Sequence, residues 1–175
     1  LITFAFDLEY KANAKSLALY SRSNAKVISI FNVAEGISSI PEFPLSRMAF
    51  NDMPIDTDNV VRRDLVGVNR KKYNLSAEYI SVPMRMVEIN QYLNRKKFDL
   101  EDEFYKNEIP LIKNFSGGYT NVDSNGFQIF INYPEKNYIP IYSLGDILKD
   151  KISSEKLKGK MVVIGATAPS LKDVF

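Results

Sequence analysis

Carboxylate and amide side chains that could hold a metal ion cluster in two short turns. Asp56, Asp58 and Asn59 occupy adjacent or alternate positions of the first turn, and Asp123 begins the second turn, Asp-Ser-Asn-Gly at positions 123–126. Such oxygens suit a hard cation such as Ca²⁺, but neither turn has the acidic residue that closes an EF-hand loop. Because Asp and Asn also bond their own backbone, we interpret both clusters as turns and predict no metal.

Two consecutive arginines follow the first turn. Arg62 and Arg63 would point to opposite faces of a strand, so that one is covered and the other meets solvent. One interpretation is an ion pair with Asp58 or Asp64 that fixes the turn, since buried charges are usually paired. The other is a guanidinium fork that binds a ligand's carboxylate or phosphate. Both interpretations stay open at this point.

A second group of polar residues follows apolar segments that are expected to form strands. In open α/β sheets, ligands bind beyond the carboxyl ends of the strands. If the first, second and last strands are neighbours, one rim of the sheet would be lined by Asp7, Glu9, Asn32, Thr167 and Asp173. The small residues at 165–168 would let backbone N–H groups approach a ligand, although the sequence has neither a P-loop nor a dinucleotide glycine pattern.

Composition excludes several classes of protein. The 175 residues contain no cysteine and no histidine, which removes disulfides, thiolate catalysis, cysteine-histidine zinc sites and a Ser-His-Asp triad. The 23 basic and 21 acidic residues leave a net charge of +2, which gives no reason to expect nucleic acid as a partner. We expect one domain over residues 1–175, no cofactor and no enzymatic activity of its own.

Apolar patterning predicts the elements that position these residues. Residues 1–8 and 26–31 predict buried strands around a helix at 11–24, which is a parallel βαβ unit. Residues 47–50 and 60–68 predict a hairpin around the Asp-rich turn, and Ser81 is expected to cap a helix at 81–93.

The rest of the chain predicts shorter elements. Residues 109–115 and 126–133 predict short β segments, Ser143 begins a short helix that runs to Leu148, and residues 160–164 predict a central parallel strand. The fold class is therefore α/β, with a mixed, mainly parallel central sheet and helices on both faces.

The order of several short motifs resembles the second type of CHASE domain. The motifs are Phe6-Asp7, Asp56-x-Asp58-x-Val60-x-Arg62-Arg63, Ile131-Asn132-Tyr133, Tyr142-Ser143, Asp146-Ile147-Leu148, Leu157-x-Gly159-Lys160, Val162 to Ala168 including Gly165, and Asp173. Asn59 stands where the family usually has glycine, and Asn can adopt the same left-handed turn. The upstream part of the family domain is missing, so we interpret the chain as N-terminally incomplete.

This resemblance implies an extracytoplasmic sensor domain held between membrane helices of a bacterial inner-membrane receptor. It implies a small-molecule or protein stimulus, a histidine kinase or nucleotide cyclase domain in the same polypeptide, and a homodimer. The expected ligand-binding residues are Asp7, Asn32, Arg62, Arg63, Thr167 and Asp173. The alternatives are a metal-assisted hydrolase that uses Asp56, Asp58 and Asp123, and a dimerisation scaffold that binds no ligand.

Overall fold

The structure, a computed structural model, describes residues 2–4, 16, 27–32, 43–68, 79–93, 110–135 and 138–165. Its strands and α-helices with described bounds are, in chain order, β1 (Ile2–Phe4), β2 (Val27–Phe31), β3 (Met48–Phe50), β4 (Arg63–Val68), β5 (Tyr79–Ile80), α1 (Val82–Leu93), β6 (Phe127–Phe130), α2 (Leu144–Leu148) and β7 (Val162–Ile164). Two short 3-10 helices, Leu45–Arg47 and Ser154–Lys156, precede β3 and β7.

Four parallel strands form the first sheet, in the order β3-β2-β1-β7. Ile2 is level with Val27 on one side and with Val162 on the other, so the first, second and last strands are neighbours as the rim hypothesis required. The parallel pairing of β1 and β2 confirms that part of the βαβ prediction. Of the predicted helix at 11–24 only Ser16 is described, and it is helical.

The predicted central position of the last strand is wrong for the strands that are described. β7 pairs with β1 and lies at the edge of the sheet, and the side chain of Val163 is exposed. Its unbroken apolar sequence suggested burial on both sides. Lys158 and Lys160 precede this three-residue strand, and short edge strands with nearby lysines are protected against pairing with other chains.

Three antiparallel strands form the second sheet, in the order β5-β4-β6. The predicted hairpin is wrong, because β3 pairs with β2 in the first sheet whereas β4 pairs with β5 and β6. The described residues 110–115 contain no strand either, although Ile112 N–H donates to the Gln128 carbonyl at 2.9 Å.

Helix α1 packs against both sheets. Val82 and Ile89 are buried with Ile28, Ile30 and Ala49 of the first sheet, whereas Met84 packs against Val66, Ile80 and Phe127 of the second sheet. The buried guanidinium of Arg85 donates from Nε to the Met48 carbonyl at 3.0 Å and is paired with Glu88. The helix is therefore fixed by apolar contacts on two sheets and by a polar contact to β3.

A serine stands at the start of each helix, and the two serines form different hydrogen bonds. At α2 the Ser143 Oγ accepts from the Asp146 N–H at 3.3 Å, and the helix begins at Ser143 as predicted. At α1 the Ser81 carbonyl accepts from the Arg85 N–H at 2.8 Å, but the buried Oγ has no hydrogen-bond partner among the described residues. Ser81 thus begins the helix through its backbone rather than through its side chain.

The predicted fold class is confirmed only in part. Strands and helices are mixed, but the described strands divide into a parallel group and an antiparallel group instead of one mainly parallel sheet. A parallel bridge between Phe50 and Ser81 joins the edge of the first sheet to the start of α1 beside β5.

Candidate functional site

The Asp-rich turn precedes β4 and is closed by its own backbone. Asn59 N–H donates to the Asp56 carbonyl at 2.9 Å, and Asp56 N–H donates to the Val60 carbonyl at 3.1 Å. Asn59 takes a left-handed conformation with φ of 60°, as the sequence predicted for the position where the family usually has glycine. The turn therefore holds the Asp56 and Asp58 carboxylates close to the start of β4.

Arg62 binds both carboxylates of this turn. Its Nη1 and Nη2 donate to Oδ1 and Oδ2 of Asp58 at 2.8 and 2.7 Å, and Nη1 also donates to Asp56 Oδ2 at 3.1 Å. The side chains of Arg62 and Asp58 are 46% and 54% exposed. This forked ion pair is at the surface, so it contributes more to orientation than to stability.

Arg63 points the other way and is buried, as the strand alternation predicted. Its Nε and Nη2 donate to Asp56 Oδ1 at 3.0 and 2.8 Å, with side chains 8% and 7% exposed. Its Nη1 donates to Gln128 Oε1 at 2.9 Å and to the Asp123 carbonyl at 3.3 Å. Arg63 therefore ties the first turn to β6 and to the second turn.

Tyr119 completes the cluster from the loop before β6. Its hydroxyl donates to Asp56 Oδ2, and the Arg63 Cζ lies 5.2 Å from the centre of its ring, within the range of a cation–π contact. The ring also stacks on Phe130, with centroids 5.9 Å apart and planes at 20°. The first turn, the two arginines and the loop before β6 thus meet at Asp56.

Hydrogen bonds and burial shift the pKa values of the acidic groups in and near this cluster in opposite directions. The hydrogen bond from Tyr119, followed by those from Arg63 and Arg62, lowers the pKa of Asp56 although burial opposes this. Arg62 lowers the pKa of Asp58, while burial and then the contact with Asp56 raise the pKa of Tyr119. Burial raises the pKa of Asp64 on the other face of β4. The first two carboxylates are therefore held in their charged form.

An open pocket of about 340 Å³ lies next to this cluster. It is lined by Asp56, Thr57, Asp58 and Arg62 from the first turn and β4, by Gly117, Gly118 and Tyr119, and by Phe130. Gly117 has a φ of 60°, and a Cβ at this position would lie 2.6 Å from Phe130 Cζ. The loop can pass this close to the ring because residue 117 has no side chain.

The second turn is held by its own side chains. Asp123 Oδ1 accepts from Asn125 N–H at 3.0 Å and from Asn125 Nδ2 at 2.7 Å, while Gln128 Nε2 donates to the Asp123 and Asn125 carbonyls at 2.9 and 2.8 Å.

The three carboxylates of the hydrolase alternative are thus bonded to Arg, Tyr or Asn donors. Among the described residues no group of three or more His, Cys, Asp or Glu side chains could hold a metal ion.

The predicted ligand-binding residues fall into two places. Arg62 and Arg63 lie at the start of β4 in the second sheet, and Arg62 lines the pocket. Asn32 directly follows β2 of the first sheet and is half-buried. The other three predicted residues, Asp7, Thr167 and Asp173, lie outside the described residues, so the rim remains a prediction.

Four of the residues predicted as structural motifs lie after β6 or on either side of β7. Asn132 is exposed after β6, and the Tyr133 hydroxyl donates to the Val61 carbonyl at 2.7 Å, which joins the ends of β6 and the first turn. Gly159 takes a left-handed conformation, with φ of 71°, in the turn before β7. Gly165 is exposed directly after β7.

Sequence reasoning missed three contributors to the site. Gln128, Tyr119 and Phe130 contact the arginine-aspartate cluster or its aromatic wall. The only signal for Tyr119 was its position after the Ser-Gly-Gly turn, because nothing in the sequence relates it to Asp56. Strand alternation places Gln128 on the same face of β6 as Phe130, opposite the core residues Phe127 and Ile129, so it gave no signal that Gln128 is buried.

Comparison with known protein families matched residues 3–175 to the model of the CHASE2 domain. Comparison with curated proteins and with solved structures gave no match. Among the described residues, no helix has the length and apolar character that crossing a bilayer requires.

Proposed function

Because the chain belongs to the CHASE2 family of extracellular sensory domains, we propose that it is the extracytoplasmic input domain of a bacterial transmembrane receptor. The match over residues 3–175 is the observation that carries this proposal. In the proposed receptor, a small-molecule or protein stimulus acts on this domain. The polypeptide continues into a cytoplasmic histidine kinase or nucleotide cyclase, and the receptor is a homodimer.

A sensor must have two arrangements that bind the stimulus with different affinity. The cluster around Asp56 joins the first turn, β4, the loop before β6 and β6 through hydrogen bonds and ion pairs. A stimulus that alters one of these contacts would change the relative positions of several segments at once. This geometry supports a sensory role for the second sheet.

The extracytoplasmic placement can be tested by cysteine labelling, since the chain itself contains no cysteine. Lys158 is highly exposed, and its side chain forms a surface ion pair with Glu155. In a full-length receptor whose other cysteines have been replaced, Lys158→Cys should react with a membrane-impermeant maleimide in intact spheroplasts. The same receptor without this substitution is the control, and labelling that occurs only after lysis would overturn the placement.

The sensory role is tested on the output of the full-length receptor. Asp56→Asn removes the carboxylate at the centre of this cluster, so we expect it to change basal kinase or cyclase output. Asp146→Asn is the matched control, because Asp146 forms an exposed ion pair with Lys151 in another part of the chain. Equal output from both variants and the wild type would contradict a sensory role for the cluster.

A further inference from the structure

The pocket beside Arg62 combines a charged donor with an aromatic wall. Its lining includes the charged pair Arg62 and Asp58, the aromatic residues Phe130 and Tyr119, and Gly118, which has no side chain. Its volume of about 340 Å³ lies in the range of small-molecule sites. Phe130 is 44% exposed although its ring is large and apolar. An apolar group placed against this ring would remove its surface from water.

The guanidinium of Arg62 has an edge that the protein does not use. Asp58 accepts from the end formed by Nη1 and Nη2, and the second Nη1 hydrogen is directed to Asp56. Nε–H and the remaining Nη2 hydrogen have no acceptor among the described residues. These two donors lie on the same edge of a planar guanidinium and match the two oxygens of a carboxylate.

The protein holds Arg62 in position before any ligand arrives. Two carboxylates, Asp56 and Asp58, fix the orientation of the guanidinium, which lowers the entropy lost when a further anion binds. The charges of Asp56, Asp58, Arg62 and Arg63 cancel, so a monoanion does not meet a net negative cluster. A phosphate dianion would be repelled more strongly by the exposed Asp58, and it would make no use of the Phe130 ring.

Building on the proposed sensory function, we propose that this pocket binds a small monocarboxylate with an aromatic or branched apolar body. The carboxylate accepts from Nε and Nη2 of Arg62, and the apolar body packs against Phe130. Asp58 stays bound to the other end of the guanidinium. The site therefore selects for a single carboxylate attached to an apolar group.

The proposal is tested with phenylacetate as the probe and the 175-residue chain as the protein, by calorimetry and by NMR. A probe of this size is expected to bind with a dissociation constant of about 1 mM. Acetate lacks the ring and phenylacetamide lacks the charge, so each should bind at least about tenfold more weakly. Equal binding of phenylacetamide, or no saturable binding of phenylacetate, would overturn the proposal.

Two variants locate the probe. Arg62→Lys keeps the positive charge beside Asp58 but lacks the paired donors, so we expect a loss of at least about tenfold in affinity for phenylacetate. Phe130→Leu should weaken phenylacetate binding while leaving the weak binding of acetate unchanged. Lys151→Gln, remote from the pocket lining, is the control and should bind like the wild type.

Each variant is first checked for native circular dichroism. Unchanged binding in Arg62→Lys would show that the probe lies elsewhere and would overturn the site. Binding of the probe is measured without an output domain. A failure of this binding would contradict the proposed pocket, whereas a failure of the cysteine-labelling or receptor-output tests would contradict the proposed function.

Discussion

At the residue scale, the Asp56 carboxylate accepts hydrogen bonds from Arg62, Arg63 and Tyr119. The Asp56–Arg63 pair is almost fully buried, whereas the Arg62–Asp58 pair is half-exposed. Removing one partner of a buried pair leaves the other charge uncompensated, which costs far more than the loss of an exposed pair. The two aspartates of the same turn should therefore respond differently to the same substitution.

Asp56→Asn should lower the free energy of unfolding by about 2 kcal/mol at neutral pH, because Arg63 then keeps only its bonds to Gln128 and Asp123 and to a neutral amide. Asp58→Asn is the matched control and should cause a much smaller change. Urea unfolding of both variants measures the difference. Equal changes would mean that burial of the Arg63 pair does not determine its contribution.

The contribution of Asp56 should depend on pH. The pKa of Asp56 is lowered in the folded protein, so its stabilising effect is complete above the ordinary aspartate pKa of about 4 and is lost as the pH falls through the lower folded value. The difference in unfolding free energy between the wild type and Asp56→Asn should accordingly shrink below about pH 4. Urea titrations across this range provide the measurement. The raised pKa of Asp64 makes its effect on stability change with pH in the opposite sense. Because Asp64 is present in both proteins, its effect cancels from the difference in unfolding free energy.

The contacts among neighbouring residues of this cluster could be predicted from the sequence, whereas the contact with Tyr119 could not. Strand alternation correctly predicted that one of the two arginines is covered and the other exposed, without saying which, and the predicted pairing of an arginine with Asp58 is confirmed by the Arg62 contact. The link to Tyr119 could not be predicted, because it depends on how a loop 63 positions away folds back over β4. Local patterns carry no information about such a contact.

At the element scale, the loop before β6 depends on two consecutive glycines with positive φ. A Cβ on Gly117 would meet the Phe130 ring at 2.6 Å, whereas a Cβ on Gly118 would have no neighbour within 4 Å. Both positions would strain an L-residue, but only the first would also displace a ring of the pocket wall.

Gly118→Ala should therefore destabilise the protein by about 1 kcal/mol through backbone strain alone. Gly117→Ala should cost at least about 1 kcal/mol more, because the ring of Phe130 must move away from Tyr119. Thermal and urea unfolding measure both variants. In a Phe130→Leu background the difference between them should decrease, and a constant difference would contradict the proposed collision.

Elements with a strong local signal were predicted well. The helix α1 and the start of α2 at Ser143 follow from apolar periodicity and from the residue types at helix starts, which depend on neighbours in the sequence. The hairpin around the Asp-rich turn and the central place of β7 were wrong, because pairing partners are chosen by the whole fold. An apolar strand such as Val162–Ile164 fits an edge as well as the middle of a sheet.

At the scale of the whole molecule, α1 and the bridge from Phe50 to Ser81 connect the parallel sheet to the antiparallel one. Met84 faces the second sheet, whereas Val82 and Ile89 face the first. The mixture of strands and helices could be predicted from the sequence, since it requires only the types of the elements. The division into two sheets could not, because the strands of both sheets have similar apolar patterns.

Ile89→Ala should lower the free energy of unfolding by about 3 kcal/mol, since it opens a cavity at the contact between α1 and the first sheet. Val87→Ala on the exposed side of the same helix is the control and should change it by less than about 0.5 kcal/mol. If the helix makes the two sheets one cooperative unit, circular dichroism and tyrosine fluorescence will give the same midpoint in urea. Separate midpoints would show that the sheets unfold independently.

The order of the parallel sheet also affects how this chain is made. β1 is hydrogen-bonded on one side to β2 and on the other side to β7, which is far later in the sequence. On the ribosome, β2 can pair soon after β1 has emerged, but the second edge of β1 stays open until residue 164 has been synthesised. Between the synthesis of β1 and that of β7, the described strands thus leave this edge of β1 unpaired, the kind of surface that chaperones bind and that aggregates when left uncovered.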